Sequence, residues 1–216
     1  MAAGLYYNWL VKLKPSKIVA VGLNYRDHAA EMKAEVPQSP ILFLKPPSAV
    51  IFNNEAIVYP AQTKELHYEA ELAVVIKDRA RNISAAEAPQ HILGFTCGND
   101  VTARDLQRRD GQWTRAKSFD TFCPLGPEII SGISPDNLNI DLYLNGEKRQ
   151  SSNTANLIFN VNYLIAFISQ VMTLLPEDVV LTGTPAGIGP MRVGDEVRVE
   201  IEGIGSLVNQ VVGGRS

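Results

Sequence analysis

The run from Leu66 to Ile76, Leu-His-Tyr-Glu-Ala-Glu-Leu-Ala-Val-Val-Ile, constrains this chain more than any other segment. Leu66, Tyr68, Ala70, Leu72, Val74 and Ile76 alternate with His67, Glu69, Glu71, Ala73 and Val75, the period-2 pattern of a strand. That period puts Glu69 and Glu71 on one face with Cα atoms roughly 6.5–7 Å apart, so their carboxylates can converge. Two carboxylates about 4 Å apart repel by roughly 4 kcal/mol at an effective dielectric of about 20. A strand otherwise this apolar tolerates such repulsion when a cation lies between the acids. Ligands that are all oxygen favour a hard ion, Mg²⁺, Mn²⁺ or Ca²⁺, over zinc. The alternative is an exposed strand face on which both acids are simply solvated.

Asp100 is the third acid. It closes a second strand-like stretch, Ile92 to Asp100, and precedes Val101 to Gln107, which reads as the start of a short helix. The end of a buried strand is a usual place for a ligand, and Asp is equally a good helix N-cap. His28 and Glu31 stand i,i+3 in a helix-like stretch, close enough for the carboxylate to orient the imidazole as a general base. A plain surface contact between them is the alternative. Lys117 lies among apolar neighbours and can pair with a ligand carboxylate or snorkel to solvent. His67 shares the face of Glu69 and Glu71 and can be a fourth ligand, although a place behind the ligands or on the substrate side is favoured, whereas His91 has no acidic or Cys/His partner nearby.

Other readings are excluded by composition and pattern. The chain has 216 residues, 45% hydrophobic and 20% charged, with a net charge of −3, suited to one globular domain spanning 1–216. Residues 1–16 read as a short extension of a core at about 17–212. No Lys/Arg cluster points to nucleic acid, and no apolar run has the length of a membrane span. Cys97 and Cys123 make no disulfide framework, and the N-terminus lacks the order of a signal peptide, which together favour a reducing cytoplasm. Strand signals dominate, including Lys17–Gly22, Ile41–Lys45, Val179–Leu181 and Glu196–Glu202, with an Asn145-Gly146 hairpin. One amphipathic helix is expected over about 156–172. After Leu181, Thr182-Gly183-Thr184-Pro185-Ala186-Gly187-Ile188-Gly189 lacks a P-loop's Lys-Ser/Thr. It reads either as a plain turn or as a loop presenting N–H groups and the Thr184 hydroxyl to a small anion. The class is α+β, predominantly β.

Taken in order, Gly22-Leu23-Asn24-Tyr25-(x2)-His28-(x2)-Glu31, Phe43-Leu44-Lys45-Pro46, His67-Tyr68-Glu69-Ala70-Glu71-Leu72, Asn99-Asp100-Val101-Thr102-Ala103-Arg104-Asp105, Lys117-Ser118-Phe119-Asp120 and the Thr182–Gly189 loop resemble the fumarylacetoacetate hydrolase family. The likeness is greatest to its small branch of acylpyruvate hydrolases and oxaloacetate decarboxylases. The resemblance implies a mixed β-sandwich roll, a homodimer, and one Mg²⁺ or Mn²⁺ per chain on Glu69, Glu71 and Asp100. It implies His28 and Glu31 as the water-activating pair on a lid helix and Lys117 as a lysine beside substrate and metal. Thr184 would hold a substrate carboxylate, and Arg104 and Gln107 would line the pocket.

The activity so implied is cleavage of short 2-keto acids through a metal-bound pyruvate enolate, by hydrolysis of acylpyruvates or decarboxylation of oxaloacetate. An isomerase or decarboxylase of a longer unsaturated dicarboxylate, such as 2-hydroxyhepta-2,4-diene-1,7-dioate, is the alternative within the family. A non-catalytic domain that binds a carboxylate is the alternative outside it.

Overall fold

A computed structural model describes residues 6–7 and 13–214. The chain runs through β1 (Tyr6–Tyr7), β2 (Ile18–Gly22), α1 (Arg26–Glu31), β3 (Ile41–Lys45), β4 (Val50–Phe52), β5 (Ile57–Tyr59), β6 (Leu66–Tyr68), β7 (Ala70–Ile76) and β8 (Ile92–Asn99). It continues with β9 (Thr102–Ala103), α2 (Arg104–Asp110), α3 (Thr114–Lys117), β10 (Cys123–Ile130), β11 (Asn139–Leu144), β12 (Glu147–Asn153) and α4 (Val161–Val171). The last strands are β13 (Val179–Leu181), β14 (Gly189–Met191), β15 (Glu196–Ile201) and β16 (Gly205–Gly213).

The large mixed sheet has the order β1-β10-β8-β7-β13-β2-β3, with β4 also beside β10. A second sheet, β12-β11-β15-β16-β5, packs against it through β11, β15 and β16. These curled layers form the β-sandwich roll expected from the sequence. Every residue of β7 is buried, because it lies between β8 and β13 and under β11. The alternation from Leu66 to Ile76 therefore separates two buried faces, and neither faces water.

The expected single strand is divided. β6 belongs to a small sheet, β14-β6-β9, while β7 belongs to the large one, and Glu69 is the residue between them. The neighbouring chain breaks at the same level, with β8 ending at Asn99 and β9 starting at Thr102. Two backbone-directed bonds lock the double break. Asp100 N–H donates to the Glu69 carbonyl at 2.9 Å, and Glu69 N–H donates to Asn99 Oδ1 at 3.0 Å.

The long helix starts at Val161, later than the hydrophobic spacing predicts. Asn160 is extended and its side chain accepts from Tyr163 N–H at 2.9 Å, an N-cap that stops the helix from running back. Thr154–Asn156 instead form a 3₁₀ turn. The α2 helix also begins later, at Arg104, with Ala103 in the cap position, so Asp100 is no N-cap. The Asn145-Gly146 hairpin joins β11 to β12, both residues having positive φ (52° and 80°), as a type I′ turn requires.

Asp178 ties the start of the chain to the core. Its fully buried carboxylate accepts from Ser16 N–H (3.0 Å), Ser16 Oγ (2.7 Å), Lys17 N–H (3.2 Å) and Leu175 N–H (2.8 Å), and pairs with Lys17 Nζ. Burial pushes this carboxyl up, but the bonds from Lys17, Ser16 and Leu175 outweigh that and hold it below 3.8. These bonds set β2 beside β13 in parallel register, Ile18 opposite Val179. A depressed folded-state value means stability present above the unfolded value and lost as pH falls through the folded one. Asp178→Asn is therefore expected to cost about 1–3 kcal/mol at neutral pH, with the difference from wild type shrinking below about pH 4. Urea denaturation across pH reads both, and a pH-independent difference would refute the ionic contribution.

Candidate active site

The double break brings three acids together. Glu69 stands between β6 and β7, Glu71 is the second residue of β7, and Asp100 follows β8, with Glu71 paired opposite Gly98. One carboxylate oxygen from each of Glu69, Glu71 and Asp100 lies within 4.8 Å of the other two, and all three residues are buried. Burial also disposes of the solvated-face alternative for Glu69 and Glu71.

Three cationic side chains surround them. Lys117 Nζ lies 2.5 Å from Asp100 Oδ2 and 3.0 Å from Glu69 Oε2, and donates to Thr102 Oγ1 at 2.7 Å. Lys45 Nζ lies 2.5 Å from Asp100 Oδ1, and Arg104 Nη2 pairs with Glu69 Oε1. Lys117 is 2% exposed, which excludes a snorkelling lysine. Burial lowers its ammonium, yet Asp100 and Glu69 beside it hold it above its ordinary value. Burial likewise pushes the Glu69 carboxyl up, but Lys117 and Arg104 hold it well below the usual carboxylate range.

Glu71 is different. Its one hydrogen bond to the protein among the described residues is from Gly183 N–H, at 2.6 Å, and it has no cationic partner there. Burial pushes its carboxyl well above the ordinary value, and the charges of Asp100 and Glu69 add to this. A buried acid facing two others without a cation of its own fits a site for a hard divalent ion. Glu69, Glu71 and Asp100 would hold that ion.

The Thr182–Gly189 loop braces the site. Gly183 (φ 101°) turns so closely on Asn24 that a Cβ there would lie 2.8 Å from the Asn24 Cβ, and this turn aims its N–H at Glu71. Gly187 N–H donates to Glu31 Oε1 at 3.0 Å, and Glu31 Oε2 meets His28 Nδ1 at 3.0 Å. The N–H groups expected to bind an outside anion thus serve the protein's own carboxylates. Thr184 Oγ1 accepts from Gln150 Nε2 at 2.9 Å, leaving its hydroxyl hydrogen to donate elsewhere.

A cavity of about 290 Å³ opens over the acids. Glu69, Glu71, Asp100 and Lys117 line it with Thr184, as do His28 on α1 and Arg104 and Gln107 on α2. Arg104 Nη1 donates to Gln107 Oε1 at 2.5 Å, while its buried Nε has no hydrogen-bond partner. A larger open groove of about 750 Å³ runs along Ile130–Ile133 and Glu200–Ser206, but no Lys, Arg, His or Cys lines it. The chemistry lies in the smaller cavity.

All nine residues singled out in the sequence, Glu69, Glu71, Asp100, His28, Glu31, Lys117, Arg104, Gln107 and Thr184, thus line the cavity or bond to a residue that does. His67 does not point to the acids: its Nε2 lies 3.1 Å from Glu65 Oε1. His91 has a partner after all, Asp78, which touches its Nδ1 across a turn too long for spacing to reveal. Two residues of the site had no role assigned in the sequence, although Lys45 lies in the Phe43-Leu44-Lys45-Pro46 motif. Lys45, the last residue of β3, reaches Asp100. Gln150, on the second sheet, bridges Ala70 N–H (2.9 Å) to Thr184 and the Pro185 carbonyl (2.8 Å). Only sheet packing brings Gln150 there.

The family model for the fumarylacetoacetate (FAA) hydrolase C-terminal region matches residues 17–212. A mitochondrial oxaloacetate tautomerase of Rattus norvegicus is 44% identical over 210 residues, covering 92% of this chain and 67% of the relative. The crystal structure of a 2-hydroxyhepta-2,4-diene-1,7-dioate isomerase from Mycobacterium marinum is 46% identical, covering 94% of this chain and 77% of its own, with a TM-score of 0.88. A fumarylpyruvate hydrolase of Pseudomonas aeruginosa, in complex with Mn²⁺ and pyruvate, is 32% identical with a TM-score of 0.90. There the match covers 98% of this chain and 96% of the neighbour.

Glu71→Gln tests the acid cluster in two directions. Mn²⁺ affinity is expected to fall by roughly 100-fold or more, since even outer-shell changes cost up to that much. The metal-free variant is expected to melt higher than wild type, because a raised carboxyl value means that ionised Glu71 costs stability. Calorimetric titration and thermal melting without metal read these, and undiminished Mn²⁺ affinity would remove Glu71 from the metal site.

Proposed function

Because the chain belongs to the fumarylacetoacetate hydrolase family, we propose that it is a divalent-metal-dependent enzyme of short 2-keto acids, hydrolysing acylpyruvates and decarboxylating oxaloacetate. One observation carries this reading: the three acids, the His28–Glu31 pair and Thr184 meet at one cavity. A cation on Glu69, Glu71 and Asp100 would supply Lewis-acid polarisation of a 2-oxo group.

The charge balance agrees. Glu69, Glu71 and Asp100 equal Lys45, Lys117 and Arg104 in number, although those cations pair with Glu69 and Asp100 alone, so a divalent ion beside Glu71 leaves the site with two uncompensated positive charges. The carboxylate and the developing enolate of pyruvate carry two negative ones. Lys117 keeps its positive charge next to that developing oxyanion, where a fixed charge favours the transition state over the ground state. Thr184 offers its hydroxyl hydrogen to the substrate carboxylate.

His28 supplies the base. Donating Nδ1–H to Glu31 leaves Nε2 as the acceptor. In acylpyruvate hydrolysis His28 takes a proton from water and the hydroxide adds to the C4 carbonyl. The C3–C4 bond then breaks, its electron pair passes into the enolate of pyruvate, and C3 is finally protonated. From oxaloacetate the same pair is released as CO₂ leaves, with no water consumed.

A second reading has its own support. The tautomerase and isomerase relatives are more identical to this chain than the hydrolase, and an isomerase needs only a group that takes and returns a proton. His28 serves there as well.

Pyruvate release from acetylpyruvate and from oxaloacetate, with Mg²⁺ and with EDTA, tests the proposal. Metal-dependent pyruvate from either supports it. Enol–keto interconversion of oxaloacetate without pyruvate selects the isomerase reading. His28→Ala is expected to slow acylpyruvate hydrolysis by about 10²–10⁴-fold, the usual worth of general-base catalysis, and decarboxylation far less. Equal losses in the two reactions would show that His28 positions substrate and is not the base.

A further inference from the structure

One wall of the cavity carries no charge and takes no part in the chemistry above. Val21, Gly22, Leu23, Phe43 and Trp113 form it. Trp113 is its largest side chain, and it lies against its smallest. A Cβ at Gly22 would stand 2.6 Å from Trp113 Cζ3 and 2.8 Å from Cη2, so the indole fills the room that any side chain at 22 would take. Phe43 holds the ring from another side, edge-on, with centroids 5.2 Å apart and planes at 75°. The backbone anchors it as well, since the Trp113 carbonyl accepts from Lys117 N–H at 3.1 Å, one helical turn on.

We propose that Trp113 is the specificity-determining residue of this site: its indole is the end wall that limits the length of the apolar tail on the 2-keto acid. The inference rests on the 2-keto acid reading. The acids, Lys117 and Thr184 hold the carboxylate and 2-oxo end, so the rest of the molecule runs away from them. Around the rest of the cavity stand His28 on the α1 side and Arg104, Gln107 and Arg108 on the α2 side, all polar, with Met32 beyond His28 and largely exposed to solvent. An apolar tail avoids desolvating those groups and turns to the aromatic wall. There the indole meets it, wedged between Phe43 and Gly22 with no gap behind it at Gly22. A short acyl group fits in front of the ring, and a longer tail needs the ring's place. The contact with Gly22 makes the wall adjustable in both directions, since shrinking residue 113 lengthens the pocket and adding a methyl at 22 drives the ring inward.

Trp113→Ala and Trp113→Leu, compared with wild type on acetylpyruvate and hexanoylpyruvate, test this. The ratio of kcat/KM for the longer substrate over the shorter is expected to rise about tenfold or more, the scale at which a pocket discriminates single methylenes, mainly through KM. Gly22→Ala is expected to lower the same ratio. If Trp113 merely positions Lys117, kcat falls alike on both substrates and the ratio stays within about threefold, which overturns the proposal. Binding gives a readout independent of turnover. On the Mn²⁺-loaded protein, titration calorimetry with pyruvate and 2-oxooctanoate is expected to show the Kd ratio shifting about tenfold toward the longer acid in Trp113→Ala. An unshifted Kd ratio also overturns it. Should wild type turn over neither acylpyruvate, the catalytic proposal falls while the Kd ratio still decides the role of Trp113.

Discussion

A buried cluster of three carboxylates against three cationic side chains is the constraint on which the rest of the site depends. Lys117 and Lys45 hold both oxygens of Asp100, and Arg104 and Lys117 hold both of Glu69. Burying six charges is affordable only when each is paired and hydrogen-bonded. Glu71 is the exception, bonded to a backbone N–H and to no cation. That asymmetry marks where a further positive charge belongs. It also explains why the cluster sits at a break between two sheets: continuous strands would pair Glu69 N–H and Asp100 N–H in ladders and hold their side chains a strand apart.

The Thr182–Gly189 loop links α1 and the second sheet to the acid cluster. It bonds Glu71 through Gly183, Glu31 through Gly187, and the second sheet through Thr184 and Gln150. Asn24, just before α1, donates to the Thr182 carbonyl at 2.8 Å and to the Phe159 carbonyl at 3.0 Å. The α1 helix is therefore tethered at both ends to the loop that also holds Glu71. Placing His28 and placing Glu71 are one structural problem, solved by one loop.

Much of this was legible in the residues. Period-2 alternation located β7, a strand-like run up to Asp100 located β8, Asn145-Gly146 marked its hairpin, and the i,i+3 spacing of His28 and Glu31 matched their contact. Local signals failed where tertiary structure overrode them. The run from Leu66 to Ile76 reads as one strand because alternation cannot show that its two halves pair in different sheets. The long helix begins later than apolar spacing predicts, because that spacing continues back across Asn160, whose N-cap starts the helix. Lys45 and Gln150 looked like ordinary residues of β3 and β12, since their partners are Asp100, 55 residues on, and Thr184, 34 residues on.

Residue order alone fixes the chemistry open to this protein: clustered carboxylate oxygens, a carboxylate-oriented imidazole, and strands apolar enough to bury them. Residue types and short-range periodicity suffice for that, because backbone geometry sets distances within a few residues. Tertiary structure alone decided which charges neutralise which, that Glu71 is the acid without a cation, and that Trp113 closes the pocket against Gly22. Those outcomes depend on contacts between segments far apart in the chain, and desolvation and packing act only once the sheets have closed around them.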